Sequence, residues 1–235
     1  MTNSQMIFSL IKLIPENELI FASKLYNEKL KNYVSEDSFY QTLGRLCKSG
    51  ELSRIAKGTY YRPKTSKYGI VPPSEKEIIS AFTESNSGTV IGYALYNSLK
   101  LTTQLPKKVE VLSSRMEQQT KNISNVLLQY CDLVYTPNIE NMIHMLEVLQ
   151  NFDRIQDLNT NYFIEYCKNF VSTYNDATFK IVNAQKKYQK RTISFLKNIL
   201  DFYNVSNDLN RYLSTVSEYK HPTMEEIYET AQLPQ

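Results

Sequence analysis

The sequence predicts an α+β fold that is mostly helical, and three observations lead to it. Apolar residues recur at three- and four-residue spacing over most of the chain, which is the period of amphipathic helices. Short β-prone runs interrupt that pattern at residues 51–62 and 108–113. Pro72 and Pro73 stand between two stretches of different composition, and two adjacent prolines cannot continue a helix or strand interior.

The first predicted elements are three helices. Helix 1 covers 4–14 and ends at Pro15, and helix 2 covers 21–26, with 29–34 as the turn that follows. The third helix covers 35–49, because Phe39, Leu43 and Leu46 form one apolar stripe. Its boundaries are marked by Ser35, a good N-cap, and by Gly50, which suits a C-terminal cap.

Two short β-prone runs follow around the turn Lys57–Gly58, which is the pattern of a hairpin. A helix followed directly by a basic hairpin is typical of a winged helix-turn-helix. We therefore expect a winged helix-turn-helix DNA-binding domain over residues 1–68, followed by a C-terminal domain over 69–235 in which 69–74 is a stiff connector.

The C-terminal domain is predicted to be mixed α/β over about 74–140 and helical over about 141–235. Its first part contains helices at 75–84 and 88–99, strands at 108–113 and 132–136, and an ambiguous segment at 116–129. Its second part contains helices at 139–152, 161–174, 177–204, 207–216 and 223–231.

Positive charge is concentrated in the predicted hairpin region. Residues 40–70 contain seven Lys or Arg and one acid, which gives +6, so the rest of the chain carries −3 of the net +3. Such a concentration is the electrostatic footprint of nucleic-acid binding. Three widely spaced cysteines suit reduced thiols, and neither a signal peptide nor a membrane span is visible, so we expect a cytoplasmic protein without membrane contact.

The candidate DNA-binding residues lie on the third helix and on the hairpin. Gln41 and Arg45 are expected to read base edges in the major groove, with Arg45 the strongest candidate, whereas Ser38 and Tyr40 suit phosphates. The alternative is an ordinary solvated helix face. The complete predicted set is Ser38, Tyr40, Gln41, Arg45, Lys48, Arg54, Lys57, Tyr61 and Arg62.

A second group of basic residues occurs near the C-terminus, within the predicted helix 177–204. It consists of Lys186, Lys187, Lys190 and Arg191. The group is either an ordinary exposed helix surface or a second surface for nucleic acid or for the protein's partner.

Nothing in the sequence indicates catalysis or a cofactor. The two histidines, His144 and His221, have no Cys, His or Asp neighbours at metal-ligand spacing. A glycine-rich phosphate loop and a Gly-x-Ser-x-Gly elbow are both absent from the sequence. We therefore expect a protein that is not an enzyme and that uses neither a metal nor a cofactor.

The order of these features resembles the AbiEi-type antitoxins of bacterial abortive-infection systems, including their transcriptional-regulator-like branch. The resemblance is carried by the helix at 34–46, the basic hairpin at 50–60, the segment at 92–106, the strand at 108–113 and the basic helix at 187–196. It covers roughly residues 5–115 well.

The resemblance implies a type IV toxin-antitoxin function. Such antitoxins repress their own promoter by binding double-stranded DNA, and they counteract a nucleotidyltransferase-like toxin without a stable complex. Two alternatives remain open: a stand-alone regulator whose C-terminal domain binds a ligand or dimerises, and a scaffold whose winged module docks protein.

Overall fold

The computed structural model describes residues 3–232 and has a mixed α/β architecture, 49% helical and 16% strand. Contacts within the chain define two compact units, Met1–Ala81 and Phe82–Gln235. A boundary between independently folding domains after residue 68 stays a prediction. Over the described residues, no helix is long and apolar enough to cross a membrane.

The first unit begins with three helical segments and a three-stranded antiparallel sheet of order β1-β3-β2. A π-helical turn, Tyr26–Leu30, continues the second helix. The elements are α1 (Asn3–Lys12), β1 (Leu19–Phe21), α2 (Ala22–Leu25), α3 (Glu36–Lys48), β2 (Ser53–Ala56) and β3 (Thr59–Tyr61).

Helix α3 forms where the sequence predicts it. The Ser35 hydroxyl accepts a hydrogen bond from the Ser38 backbone N–H at 3.4 Å, which caps the first turn. Phe39 and Leu43 are completely buried in one core with Ile7 and Ile11 of α1. The helical period of the apolar residues therefore fixes which face of α3 turns inward.

One strand of this sheet was not expected. Residues 19–21 pair with β3, with Ile20 opposite Tyr60. Helix α2 starts directly after this strand, so the predicted helix 21–26 is displaced by one residue and runs on into the π-helical turn.

The predicted stiff connector at 69–74 is partly wrong. Residues 64–71 form a second hairpin, β4 (Lys64–Ser66) and β5 (Gly69–Val71), whose turn uses Gly69 at φ 111°. Helix α4 (Glu75–Thr83) follows as predicted. It starts with a capping box in which the Ser74 N–H and hydroxyl both donate to the Glu77 carboxylate.

The second unit contains a four-stranded sheet of order β6-β7-β9-β8, in which β7 and β9 are parallel and the other pairs antiparallel. The segment 88–99, expected to be an entry and a helix, is divided between a strand and a helix. The elements are β6 (Gly88–Ile91), α5 (Gly92–Ser98), β7 (Val109–Ser113), β8 (Thr120–Ile123) and β9 (Val126–Tyr130).

The predicted strand at 132–136 is wrong, although its residues alternate in burial. Leu133 and Tyr135 are buried, but their backbone N–H groups donate to Cys131 O and Asn86 O, and no strand forms there. The alternation of apolar and polar residues in this irregular segment reflects alternating burial against the core. Such a period indicates which residues are buried and does not show that a strand pairs there.

The remaining helices are α6 (Pro137–Gln150), α7 (Thr160–Val171), α8 (Asp176–Lys186), α9 (Lys190–Phe202) and α10 (Met224–Gln232). The single helix predicted at 177–204 is therefore two helices. It breaks at Lys187, which has φ 51°, and the Asn183 side chain accepts the Tyr188 N–H at 3.0 Å. Of the predicted helix at 207–216, a 3₁₀ turn at Leu209–Tyr212 is formed.

Candidate nucleic-acid interface

The exposed side of α3 includes a stripe that lies opposite the core. Gln41, Gly44 and Lys48 recur at three- and four-residue spacing, and all three are exposed. The side chains of Gln41 and Lys48 have no hydrogen bond or ion pair with the described residues, so their polar ends face solvent. The Gln41 amide and the Lys48 ammonium group can therefore donate hydrogen bonds to an external ligand, and Lys48 can also attract a negative charge.

Arg45, the strongest sequence candidate, lies at the edge of that stripe. Its guanidinium donates to Ser4 Oγ on α1 at 3.2 Å and to Thr42 Oγ1 at 3.1 Å. The side chain is exposed, but these two bonds direct it towards α1. The charge of the guanidinium is available to a phosphate. To hydrogen-bond to the edge of a base, however, the side chain would have to break its bonds to Ser4 and Thr42.

Ser38 and Tyr40 differ in accessibility. Ser38 is half-buried, and its carbonyl accepts the Thr42 hydroxyl at 2.8 Å. Tyr40 is 37% exposed and packs edge-on against Phe39. Tyr40 is thus the better placed of the two to present a hydroxyl to a phosphate.

The β2–β3 hairpin is attached directly to the end of α3. Gly50, at φ 78°, turns the chain, and the N–H of Leu52 donates to Leu46 O at 3.1 Å. Arg54 is close to this helix end, because its charge acts on the Cys47 thiol. Burial raises the pKa of that thiol, and the positive charge of Arg54 opposes the shift. Lys57 is exposed at the hairpin turn, beside Gly58 at φ 72°.

Two of the predicted contact residues have structural roles within the fold. Tyr61 is only 7% exposed, because β3 is the central strand and both of its faces are covered. The Arg62 guanidinium donates to the carbonyl oxygens of Lys12 and Ile14, at 3.1 and 2.6 Å, and so closes the C-terminal end of α1.

Sequence reasoning missed Gly44. Apart from its chain neighbours and the helix's own backbone, a Cβ at this position would meet no atom within 4 Å, so this side of α3 is open to solvent there. The signal was present, since a glycine inside a helix costs roughly 1 kcal/mol relative to alanine. Here it produces a gap between Gln41 and Lys48 through which another molecule can approach the helix closely.

The C-terminal basic group does not form one continuous surface on one helix. Lys186 ends α8 and forms an ion pair with the buried Glu147 carboxylate at 3.1 Å. Arg191, on α9, forms an ion pair with Asp153 and also donates to Lys220 O. Lys187 and Lys190 are exposed on either side of the helix break. Two of the four charges are therefore already neutralised within the unit.

The histidine at 144 lies in a separate polar contact of the second unit. Its Nε2 is 2.7 Å from Thr89 Oγ1, and burial lowers the pKa of His144 to about 4. Within residues 3–232, no group of three or more His, Cys, Asp or Glu side chains is arranged to hold a metal ion.

Three comparisons with known proteins complete the description. A model described as a family of unknown function (DUF6088) matches residues 7–129. No curated protein matches the chain. A solved structure, the RV2827C protein from Mycobacterium tuberculosis, covers 84% of this chain and 75% of its own, with 10% identity and a TM-score of 0.37. That score is too low to support an argument about fold or function.

Proposed function

We propose that this chain, which belongs to the DUF6088 family of unknown function, binds double-stranded DNA through a winged helix-turn-helix and represses its own promoter. The observation that carries the proposal is the exposed Gln41–Gly44–Lys48 stripe of α3, which the short segment 49–52 joins to a basic hairpin. An exposed helix followed by a basic hairpin fits the major groove and the adjacent backbone of DNA.

The topology of the first unit supports this proposal. Helices and strands follow in the order α1, β1, α2, α3, β2, β3, and β1 closes the sheet beside β3. In this arrangement α3 is the recognition helix and the β2–β3 hairpin is the wing. Gln41 would read an adenine edge, while Lys48, Arg54 and Lys57 would bind phosphates or a guanine edge.

The wider role that we propose is that of a type IV-like antitoxin. Its support is the resemblance at 34–46, 50–60 and 92–106, which would pair this chain with a nucleotidyltransferase-like toxin without a stable complex. The competing function is a stand-alone regulator. A toxin gene beside this one favours the antitoxin, and an isolated gene favours the regulator.

The DNA-binding proposal is tested by titrating the chain onto a fragment that carries its own promoter. We expect Lys48→Ala and Gln41→Ala each to weaken binding by about 5- to 150-fold, since each contact is worth about 1–3 kcal/mol. Lys180→Ala, which removes an exposed lysine from the second unit, is the matched control and should bind like the wild type.

The salt dependence of the same titration tests the electrostatic part. With Arg45, Lys48, Arg54 and Lys57 near phosphates, log K should fall against log salt with a slope of about −4, and Lys57→Ala should reduce that slope by about 1. A flat salt dependence, or an equal loss for Lys180→Ala, would contradict the proposal.

The antitoxin part is tested by growth rescue with the same Lys48→Ala chain. If the two roles are separate, this variant loses repression of its promoter and still rescues cells in which the neighbouring toxin is induced. Failure of the wild-type chain to rescue removes the antitoxin role and leaves the DNA-binding regulator.

A further inference from the structure

The hydrogen bonds of Arg45 restrict what its guanidinium can contact on DNA. Arg45 lies on the exposed side of α3, but its Nη2 atom donates to two hydroxyl oxygens, Ser4 Oγ at 3.2 Å and Thr42 Oγ1 at 3.1 Å. With the residues that the structure describes, Nε and Nη1 form no hydrogen bond. The side chain is therefore held at one nitrogen, while the other two are open to an external ligand.

The Thr42 hydroxyl is itself fixed in direction. Thr42 is only 3% exposed, and its hydroxyl donates its proton to Ser38 O at 2.8 Å. The hydroxyl oxygen is therefore left as an acceptor for Arg45. Because this acceptor is buried and already oriented, the guanidinium is held in one place, and little side-chain freedom is lost when Arg45 meets a ligand.

Ser4 is the second acceptor, and it belongs to another helix. Helix α1 is packed against α3, because Ile7 and Ile11 of α1 share one buried core with Phe39 of α3. The Ser4 hydroxyl is thereby brought to Arg45, although the two residues are 41 positions apart in the sequence. Its position depends on the packing of the helices, so it is as well defined as the core itself.

The two acceptors together limit how the guanidinium can bind. A guanidinium presents its N–H groups in parallel pairs, and each pair includes one N–H group of Nη2. Arginine recognises guanine through such a pair, at O6 and N7. Since Ser4 and Thr42 take the N–H groups of Nη2, neither pair is free. A phosphate oxygen needs only one N–H group and a positive charge, which Nε or Nη1 can supply.

We propose that Ser4 and Thr42 are positioning residues that direct Arg45 to a phosphate and keep it from reading guanine. The proposal rests on the DNA-binding function proposed above. Sequence reading then passes to Gln41, which lies one turn before Arg45 on the exposed side of α3. Ser4, a residue of α1, thus determines which side chain of the recognition helix distinguishes bases.

The first test replaces Arg45 in the full chain. Affinity is measured for the promoter fragment, over a range of salt, and for a panel in which each base pair of the bound site is replaced in turn. Arg45→Ala should weaken binding to every sequence by a similar factor and reduce the slope of log K against log salt by about 1. Arg45→Lys keeps the charge without the paired N–H groups, so it should preserve the wild-type slope and base preferences.

The second test releases Arg45 from α1. Ser4→Ala frees one N–H group of Nη2 and so opens one pair. We expect a new preference for guanine at one position, of at least about fivefold, which is the lower end of what a bidentate arginine–guanine contact contributes. Ser4→Thr keeps the hydroxyl and should show wild-type preferences. Ser9→Ala, which removes another hydroxyl from α1, is the matched control.

The combined variant Ser4→Ala with Arg45→Ala should lose the new preference, because Ser4 acts through Arg45. The proposal is overturned if Arg45→Ala relaxes the choice of base at one position of the site, or if Ser4→Ala leaves every preference as it was. Arg45 is exposed, so its variants decide the question even if Ser4→Ala disturbs α1. Both contrary results occur in a chain that binds its promoter. If the wild-type chain does not bind promoter DNA, the proposed function itself fails, and this assignment fails with it.

Discussion

At the scale of single residues, His144 is the side chain whose chemistry departs most clearly from expectation. The sequence offers a lone histidine on a helix with no ligand pattern around it. In the structure its Nε2 lies 2.7 Å from Thr89 Oγ1, and burial lowers its pKa to about 4. The neutral imidazole is therefore a structural component of the contact between β6 and α6.

This pKa predicts a dependence of stability on pH. Because the folded-state pKa lies below the unfolded value of about 6.5, the contribution is complete above pH 6.5 and is lost as the pH falls towards 4. We expect His144 to account for up to about 3 kcal/mol of lost unfolding free energy over that interval. Urea unfolding of the wild type and of His144→Gln, measured at several pH values, isolates this part.

The comparison has a clear contrary outcome. His144→Gln keeps a group that can hydrogen-bond to Thr89 but does not titrate, so its stability should fall less steeply with acid than that of the wild type. Parallel curves for the two proteins would show that His144 takes up its proton equally in the folded and unfolded states.

The residue scale also shows which candidate contact residues are buried or hydrogen-bonded within the fold. Tyr61 and Arg62 belong to a basic, aromatic run that favours DNA contact in the sequence, and both are occupied within the fold. A strand that is covered on both faces buries consecutive residues, so an alternating sequence pattern cannot predict that Tyr61 is buried. The bonds from Arg62 to the end of α1 join positions 48 and 50 residues apart, which local patterns cannot reveal.

At the scale of elements, α3 combines a well-packed inner face with a gap on its outer face. Gly44 lies in the middle of the helix, where glycine is unfavourable, and no neighbouring atom requires it there. Packing within the protein therefore does not explain the glycine. The proposed DNA-binding function does explain it, since a missing side chain lets the edge of the DNA groove approach the helix backbone.

Gly44→Ala should therefore have opposite effects on stability and on binding. We expect the free energy of unfolding to rise by about 1 kcal/mol, the difference in helix propensity between the two residues. Affinity for promoter DNA should fall, because the new methyl group occupies the gap. Thermal unfolding and a DNA titration on the same protein preparation measure both. Unchanged or tighter DNA binding would exclude close approach at this position.

At the scale of the whole molecule, the hydrophobic core is divided between the two units. The larger cluster of buried residues extends from Ile91 to Ile227, and the smaller one from Ile7 to Tyr60. Each cluster is thus assembled from residues of its own unit, which is the condition for independent folding.

We therefore expect a fragment of residues 74–235, which keeps the Ser74 cap of α4, to fold without residues 1–73. It should show helical circular dichroism and a cooperative thermal transition, and it should not bind promoter DNA. The full-length chain is the reference for both measurements. A broad, non-cooperative transition would mean that the second unit depends on residues before 74.

Much of the fold could be predicted from local sequence signals. Apolar periodicity together with Ser35 predicted α3, and the turn at Lys57–Gly58 predicted the β2–β3 hairpin. The predicted helix at 139–152 is confirmed as α6. These elements are decided by interactions between residues close in sequence, which are the interactions that a single sequence displays.

Other elements depended on partners distant in the chain. Strand β1 has three residues and exists because β3 pairs with it. In the sheet of the second unit, β7 pairs directly with β9, although β8 lies between them in the sequence. The break between α8 and α9 needs no Gly or Pro, because Lys187 itself adopts the left-handed conformation. Long-range pairing and a strained single residue leave little trace in local composition.

The sequence by itself determined the helical face of α3, the basic hairpin and the concentration of positive charge before residue 70, because these follow from periodicity and composition. Tertiary structure alone decided that Arg62 closes α1, that Lys186 neutralises Glu147, and that Arg45 donates to Ser4 of α1. The physical reason is distance along the chain. Burial and charge pairing are set by neighbours in space, and folding brings those neighbours from separate parts of the sequence.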